Sequence, residues 1–318
     1  MSERWNYRKG LIETGDGIFA WLQPDGGWGW SNAGLVVDGS ESLLVDTLFD
    51  ARLTREMLSS MADAAGVKVD EIGSLVNTHA NGDHTHGNGL CANAEVIASA
   101  ASAREMEAFS AEMMQGFLDA APSMGETGEY IQAIFGSFDF NDVAEKLPTR
   151  TFSGELQLQV GGKNVRLTEV GPAHTGGDVL VHVPEDRTVF TGDILFVNGT
   201  PIMWAGPVDN WIRACDLIIE MDAEAIVPGH GPITDAHGVR KVQEYLNYVN
   251  GEARKRFDAG LSVRDAAHDI SLADYESWGD AERIVVNVNT LYREYDAGRG
   301  TTDTVELFDL MAEIKRNH

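Results

Sequence analysis

The sequence predicts an α/β protein in which two half-sheets face each other, and three observations carry this. Short apolar runs of strand length alternate with stretches of helical period. A β-β-α-β order before residue 100 recurs in similar form after residue 160. In both halves, polar residues follow the C-terminal ends of the apolar runs, so two facing half-sheets bring them to one shared edge.

Gly34–Asp38 and Leu43–Asp46, separated by Gly39-Ser40, predict a β-hairpin. Arg52–Ala65 places Leu53, Met57, Leu58 and Met61 at helical spacing. Ile72–Asn77 is a strand ending just before His79, and Glu95–Ala98 is the next strand. Ala103–Phe140, rich in Met and Phe, predicts a helical insertion that could act as a lid. Val165–Val170 ends before His174. Val179–Val183 and Thr188–Thr191 pair around Pro184-Glu185-Asp186, Asn210–Met221 is helical, and Ala225–Val227 ends before His230.

Beyond about residue 236 the pattern is helical: Gly238–Val249, Ser262–Asp269, Asp280–Tyr295 and Asp303–Lys315. Ser262 with Asp265, and Asp303 with Glu306, have the spacing of capping boxes. The expected division is a catalytic domain over 1–235, with the insertion at about 103–140, and a helical extension over 236–318. Apolar residues at 284, 285, 288, 291, 292 and 295 form a stripe that must be buried, either on the sandwich or in a homodimer.

The 318 residues, 43% apolar and 23% charged, suit one large core with an appendage. No apolar run reaches membrane-spanning length, and Met1–Lys9 lacks the apolar segment of an export signal, so a cytoplasmic protein without a membrane partner is expected. Cys91 and Cys215 form no C-x-x-C pair, which excludes a zinc ribbon and leaves two partly buried thiols. A net charge of −26 repels nucleic acid and anionic lipid, so the expected partner is a small molecule.

The chemistry-bearing residues lie in glycine-containing turns. They are His79, Asp83 and His84 in one run, then His174 before Gly176-Gly177-Asp178, Asp193 in Thr-Gly-Asp, and His230 in Pro-Gly-His-Gly. Imidazole and carboxylate are the ligands expected for Zn²⁺, Fe or Mn. A single histidine means little. The ordered set His-x-x-x-Asp-His, Gly-Pro-x-His-Thr-x-Gly, Thr-Gly-Asp and Pro-Gly-His-Gly is hard to produce by chance.

Over about residues 17–235 this set resembles the metallo-β-lactamase superfamily, whose hallmark is Thr-His-x-His-x-Asp-His followed by the same three later elements. The resemblance implies a four-layer αββα sandwich with a metal centre at the sheet edge. It assigns His79 and His174 to a first metal site, Asp83, His84 and His230 to a second, and Asp193 to the position between them. By the same likeness Asp46 supports the metal loop from behind through hydrogen bonds. His86 is an additional histidine, read either as a helix-start residue or as a proton donor behind the ligands. His182, His237, His268 and His318 fit no motif.

The sequence departs from the hallmark at Asn81, where the second motif histidine is expected. Three arrangements follow. One ion is held by Asp83, His84, Asp193 and His230; two are held, with Asn81 or water completing the first site; or one redox metal sits on His79, His174 and Asp193 as in non-haem iron oxygenases, a pattern shared with the superfamily's persulfide dioxygenases. The expected chemistry is hydrolysis by metal-bound hydroxide on Zn²⁺, with one or two ions per chain and iron or manganese as alternatives. Asp83 would orient the water or shuttle its proton, and Asn81 would donate to the oxyanion. A non-catalytic metal-binding protein is the remaining alternative. Trp28 and Trp30 flank a glycine turn, and Met203 and Trp204 follow Asp193; together they predict an apolar or aromatic substrate pocket. The substrate classes are an ester, a lactone, an amide or an aryl halide.

Overall fold

The computed structural model describes residues 4–107, 110–143 and 145–317; His318 and the first three residues of the Met1–Lys9 segment lie outside them. The first sheet runs in chain order through β1 (Gly10–Gly15), β2 (Ile18–Leu22), β3 (Ala33–Asp38), β4 (Glu41–Val45), β5 (Ser74–Val76), β6 (Glu95–Ser99) and β7 (Arg150–Phe152). It is antiparallel up to β4 and parallel from β4 to β7. The second sheet has the order β12-β11-β10-β9-β8, built from β8 (Glu155–Val160), β9 (Lys163–Glu169), β10 (Val179–Val183), β11 (Thr188–Phe190) and β12 (Ala225–Val227).

The two sheets face each other across a core of Val36, Leu43, Val45, Val76, Leu167, Val181, Phe190 and Val227. Alternate residues of the same strands, Leu35, Leu44, Leu75, Val96, Leu180, Val189 and Ile226, point outward into a second core beneath the helices. Burial on both faces is why these strands read as continuous apolar runs rather than as a polar–apolar alternation. Gly34 is part of this fit, because a Cβ there would overlap the Phe190 ring.

The helices are α1 (Ala51–Ala65), the short α2 (Gly82–Thr85), α3 (Ala100–Met106), α4 (Ala111–Ala120), α5 (Glu126–Phe135), α6 (Val208–Glu220), α7 (Ala236–Asp258), α8 (Val263–Asp269), α9 (Ile284–Tyr295) and α10 (Thr304–Asn317). Asp50 starts α1 by accepting from Leu53 N–H at 2.7 Å, and Gly66 ends it in the left-handed region. The insertion enters the fold as the crossover from β6 to β7, containing α3, α4 and α5.

Several expectations are corrected. β1, β2, β7 and β8 were not anticipated. Cys91 and Cys215 are fully buried rather than partly buried. Ser262 and Asp303 do cap α8 and α10, but Asp265 binds the Ser262 hydroxyl instead of its backbone N–H. The α9 stripe is buried at Ile284, Val285, Val288, Leu291 and Tyr292, in the same core cluster as Val242, Leu246 and Val249 of α7 and Ala266 of α8, which is the first of its two expected placements. The C-terminal helices also share that cluster with Phe135 of the insertion and Leu44 of the first sheet. Among the described residues, no helix is long and apolar enough to cross a membrane.

Candidate metal centre

The site forms where the loops after β5, β9, β11 and β12 meet. His79 follows β5 by three residues, and α2 then turns Asp83 and His84 inward. The loop after β9 supplies His174, the turn after β11 supplies Asp193, and the loop after β12 supplies His230. Gly229 lets this last loop approach closely, since a Cβ there would overlap Asp193 Oδ1.

These side chains converge. His84 Nε2 lies 3.1 Å from Asp193 Oδ1, while His79, His174 and His230 place Nε2 at 3.7, 3.4 and 3.4 Å from Asp193 Oδ2. His230 Nε2 also lies 3.3 Å from Asp83 Oδ2. Two overlapping sets can each hold an ion, His79–His84–Asp193 and Asp83–His84–His230.

The outer hydrogen bonds fix which ring nitrogen faces inward. Asp46, held at a left-handed φ of 63°, accepts from Thr78 N–H at 2.7 Å, from Thr78 Oγ1–H at 2.7 Å and from His84 Nδ1–H at 2.9 Å. Thr78 Oγ1 in turn accepts from His79 Nδ1–H at 3.1 Å. One carboxylate therefore aims both imidazoles, one of them through a hydroxyl, with Nε2 directed at the cluster. His174 Nδ1–H donates to Ile202 C=O at 2.7 Å, and its Nε2 accepts from Asn81 Nδ2 at 3.2 Å.

The donor set fits a metal cation. His79 Nε2, His84 Nε2 and Asp193 Oδ1 are buried and lack hydrogen-bond partners, a state that costs free energy unless a cation satisfies them. Within the cluster the charges are coupled, and an ion would have to displace the protons that the carboxylates favour on His84 and His230. Burial opposes charge on His79 and His174 and holds their pKa values low. Burial also opposes charge on His84 and His230, but the facing carboxylates outweigh it; His230 is pushed up to about 9 and His84 well above its usual value. Asp83 is brought down to about 2 against its own burial, chiefly by His84 and His230, and Asp193 also lies well below its usual range.

Above the cluster opens a cavity of about 470 Å³. The metal-site residues Asn81, Asp83, His174, Asp193 and His230 form its floor, and Trp28, Phe49, Phe117, Phe135 and Phe308 are among its walls. Of the expected pocket residues, Trp28 and Trp204 line it. Trp30 does not: its ring packs 4.9 Å from Phe138. Met203 does not either, being buried in the core with its N–H donating to Asn287 at 2.8 Å. His86 ends α2 instead of starting a helix, stacks 5.5 Å from Phe49, and lines the cavity rather than backing a ligand. His182, His237 and His268 do not join the cluster; they sit in β10, the first turn of α7 and against Glu313.

Sequence reasoning missed the outer wall: Glu105 of α3, Val286, Asn289, Thr290 and Arg293 of α9, and Leu307 and Phe308 of α10. Arg283 belongs with them and left a signal. A cation entering a helix N-terminus opposes the helix dipole, so something else must hold it. Here Arg283 is buried, paired with Asp280 at 2.9 Å, bonded to Thr200 C=O at 3.0 Å, and stacked 4.5 Å from Trp28.

Comparison with known proteins agrees with this geometry. Residues 26–230 match the family model of the metallo-beta-lactamase superfamily. A beta-lactamase-like protein 2 homolog of Caenorhabditis elegans is 29% identical over 93 residues, which is 29% of this chain and 30% of the relative. The hydroxyacylglutathione hydrolase of Rhizobium meliloti (strain 1021) is 34% identical over 90 residues, 27% of this chain and 35% of the relative. The chain thus aligns with about a third of the length of these curated relatives. Among solved structures, the inverting sec-alkylsulfatase of a Pseudomonas species superimposes with a TM-score of 0.64 at 16% identity, over 91% of this chain and 50% of that one. A metallo-beta-lactamase from Pontibacter korlensis gives 0.55 at 16% identity, over 76% and 99%. At such identity these structures establish the fold alone. With a match over residues 26–230 and a sandwich whose loops gather the histidines and aspartates at one sheet edge, the chain belongs to the metallo-beta-lactamase superfamily of hydrolases.

Proposed function

We propose that the protein is a metal-dependent hydrolase that cleaves an ester-type bond in a small, largely apolar substrate. One observation carries this reading: the buried cluster, in which His79 Nε2, His84 Nε2 and Asp193 Oδ1 have no hydrogen-bond partner, opens through Asp83, His174, Asp193 and His230 onto an apolar-walled cavity. A relative by sequence that bears a hydrolase name, the hydroxyacylglutathione hydrolase, is consistent with it.

Asp83, His84, Asp193 and His230 would hold the principal ion, for which Zn²⁺ is the natural candidate. When bound, such an ion supplies Lewis acidity and lowers the pKa of coordinated water. The chain supplies the rest. The ionised Asp83 Oδ2 is poised to orient a water and accept its proton. Asn81 uses one Nδ2 hydrogen on His174 and keeps the other for an oxyanion. Trp28, Phe117 and Phe308 exclude bulk water and hold the apolar part of the substrate. Hydrolysis is favoured over an iron oxygenase on His79, His174 and Asp193 because His84 and His230 also crowd Asp193, which leaves no isolated three-ligand face.

The test combines elemental analysis with assays on apolar aryl esters, thioesters and alkyl sulfates. Zinc bound to the chain, with hydrolysis lost on chelation and restored by zinc, is expected. Undiminished hydrolysis after complete chelation, or iron with oxygen uptake, would defeat the reading.

A further inference from the structure

We propose that the outer end of the cavity is an anion subsite centred on Arg293, so that the substrate is an amphiphile with a carboxylate at the end remote from the cleaved bond. The inference rests on the hydrolase reading above and adds the substrate's shape and charge.

The wall formed by α9 is graded along its length. At its start, Arg283 lies 5.2 Å from the Phe196 ring, which is itself stacked 5.0 Å from the metal-site residue His230. Arg283 thus marks the metal end, and its charge is already answered by Asp280. Ten residues further on stands Arg293, about 15 Å along the helix axis at the usual helical rise. Between the two, Val286 of α9 with Leu307 and Phe308 of α10 face the cavity, and Met113, Met114 and Phe117 of the insertion line it as well.

Arg293 is exposed, lines the cavity, and has no hydrogen-bond or ion-pair partner among the described residues. In a chain of net charge −26, a cavity-lining guanidinium left without a carboxylate is unusual. Its neighbours on the rim are donors. Thr302 and Thr304 line the cavity there, and neither hydroxyl has a partner among the described residues. Asn289 is anchored on the Thr301 backbone, donating from Nδ2 at 3.0 Å and accepting at Oδ1 at 2.7 Å. That pair of bonds pins the segment before α10 against α9 and fixes the rim beside Arg293. The acidic cavity residue outside the metal cluster, Glu105, is held by Gly176 N–H at 3.1 Å, two residues from His174, and so belongs to the metal end. A planar guanidinium fork flanked by hydroxyl donors suits a carboxylate.

The test uses zinc-loaded protein and alkyl hydroxamates, whose hydroxamate group anchors on the metal. The far end carries either a methyl or a carboxylate group, and chains of about four to ten methylenes sample the reach set by the helix. Binding is measured by titration calorimetry. At a matching length the carboxylate form should bind about fivefold more tightly, as for a partly exposed charge-assisted pair. Arg293→Gln should abolish the preference, and Arg293→Lys should retain much of it. Absence of a preference at every length, or an unchanged preference in Arg293→Gln, would overturn the subsite while leaving the hydrolase reading intact. If no hydroxamate of either kind binds, the metal-centre reading fails and the subsite falls with it.

Discussion

Asn81 donates from Nδ2 to Nε2 of His174 at 3.2 Å, occupying the lone pair that a metal at the first site would need. The direction follows from the opposite ring nitrogen: Nδ1 faces the Ile202 carbonyl at 2.7 Å and must carry the proton. Asn81 is free to do this because, although it stands at the N-cap of α2, its side chain makes no capping bond. The protein should therefore bind about one Zn²⁺ per chain, and Asn81→His, which restores an imidazole donor, should raise this towards about two. Inductively coupled plasma mass spectrometry of both proteins decides it; two ions in the unaltered chain would refute the role given to Asn81.

Asp46 does not line the cavity, yet it directs His84 by a direct bond and His79 through Thr78. Asp46→Ala should weaken zinc affinity by about 10–100-fold, the usual cost of losing an orienting partner. A competitive chelator titration measures this, and circular dichroism checks that the fold persists.

Arg283 is buried under Trp28 and pairs with Asp280, whose side chain is 15% exposed. Arg283→Met should destabilise the protein by about 2 kcal/mol, because the half-buried partner carboxylate loses its counter-charge and the Thr200 carbonyl its donor. Adding Asp280→Ala should recover part of that loss. Urea denaturation followed by tryptophan fluorescence gives both values, and an Arg283→Met midpoint equal to that of the unaltered chain would contradict the assignment.

Burial pushes the Cys91 thiol from 9.0 up to about 12. Between those values the unfolded chain releases a proton that the folded chain retains, so the folded state binds more protons. Stability must then fall as pH rises through this window, by at most about 1.4 kcal/mol per pH unit from this thiol. Cys91→Ala should give a shallower loss. Urea midpoints across about pH 8 to 10 provide the comparison.

The metal centre was legible in the sequence because its ligands are defined by residue type and by position after strands; His79, Asp83, His84, His174, Asp193 and His230 all meet. The central strands were legible because burial on both faces writes them as apolar runs. β8 was overlooked although Leu156, Leu158 and Val160 alternate along it; charged and amide residues between them hid a strand with one face towards solvent. The cavity wall was the least legible part. Trp28 faces it and Trp30 does not, yet both stand in the same glycine turn, and only packing against Phe135 or Phe138 separates them. Arg293 and Phe308 reach the cavity through the docking of α9 and α10, a long-range event that leaves no local pattern.

The ligands of the metal centre all lie between residues 79 and 230, whereas Arg283, Arg293 and Phe308, which enclose the space above it, come later in the chain. During synthesis the earlier segment emerges first. Every ligand is therefore synthesised before the residues that close one side of the chamber. The two tasks are also written in separate stretches of chain, so substitutions in α9 and α10 can reshape what the chamber admits without altering a single ligand.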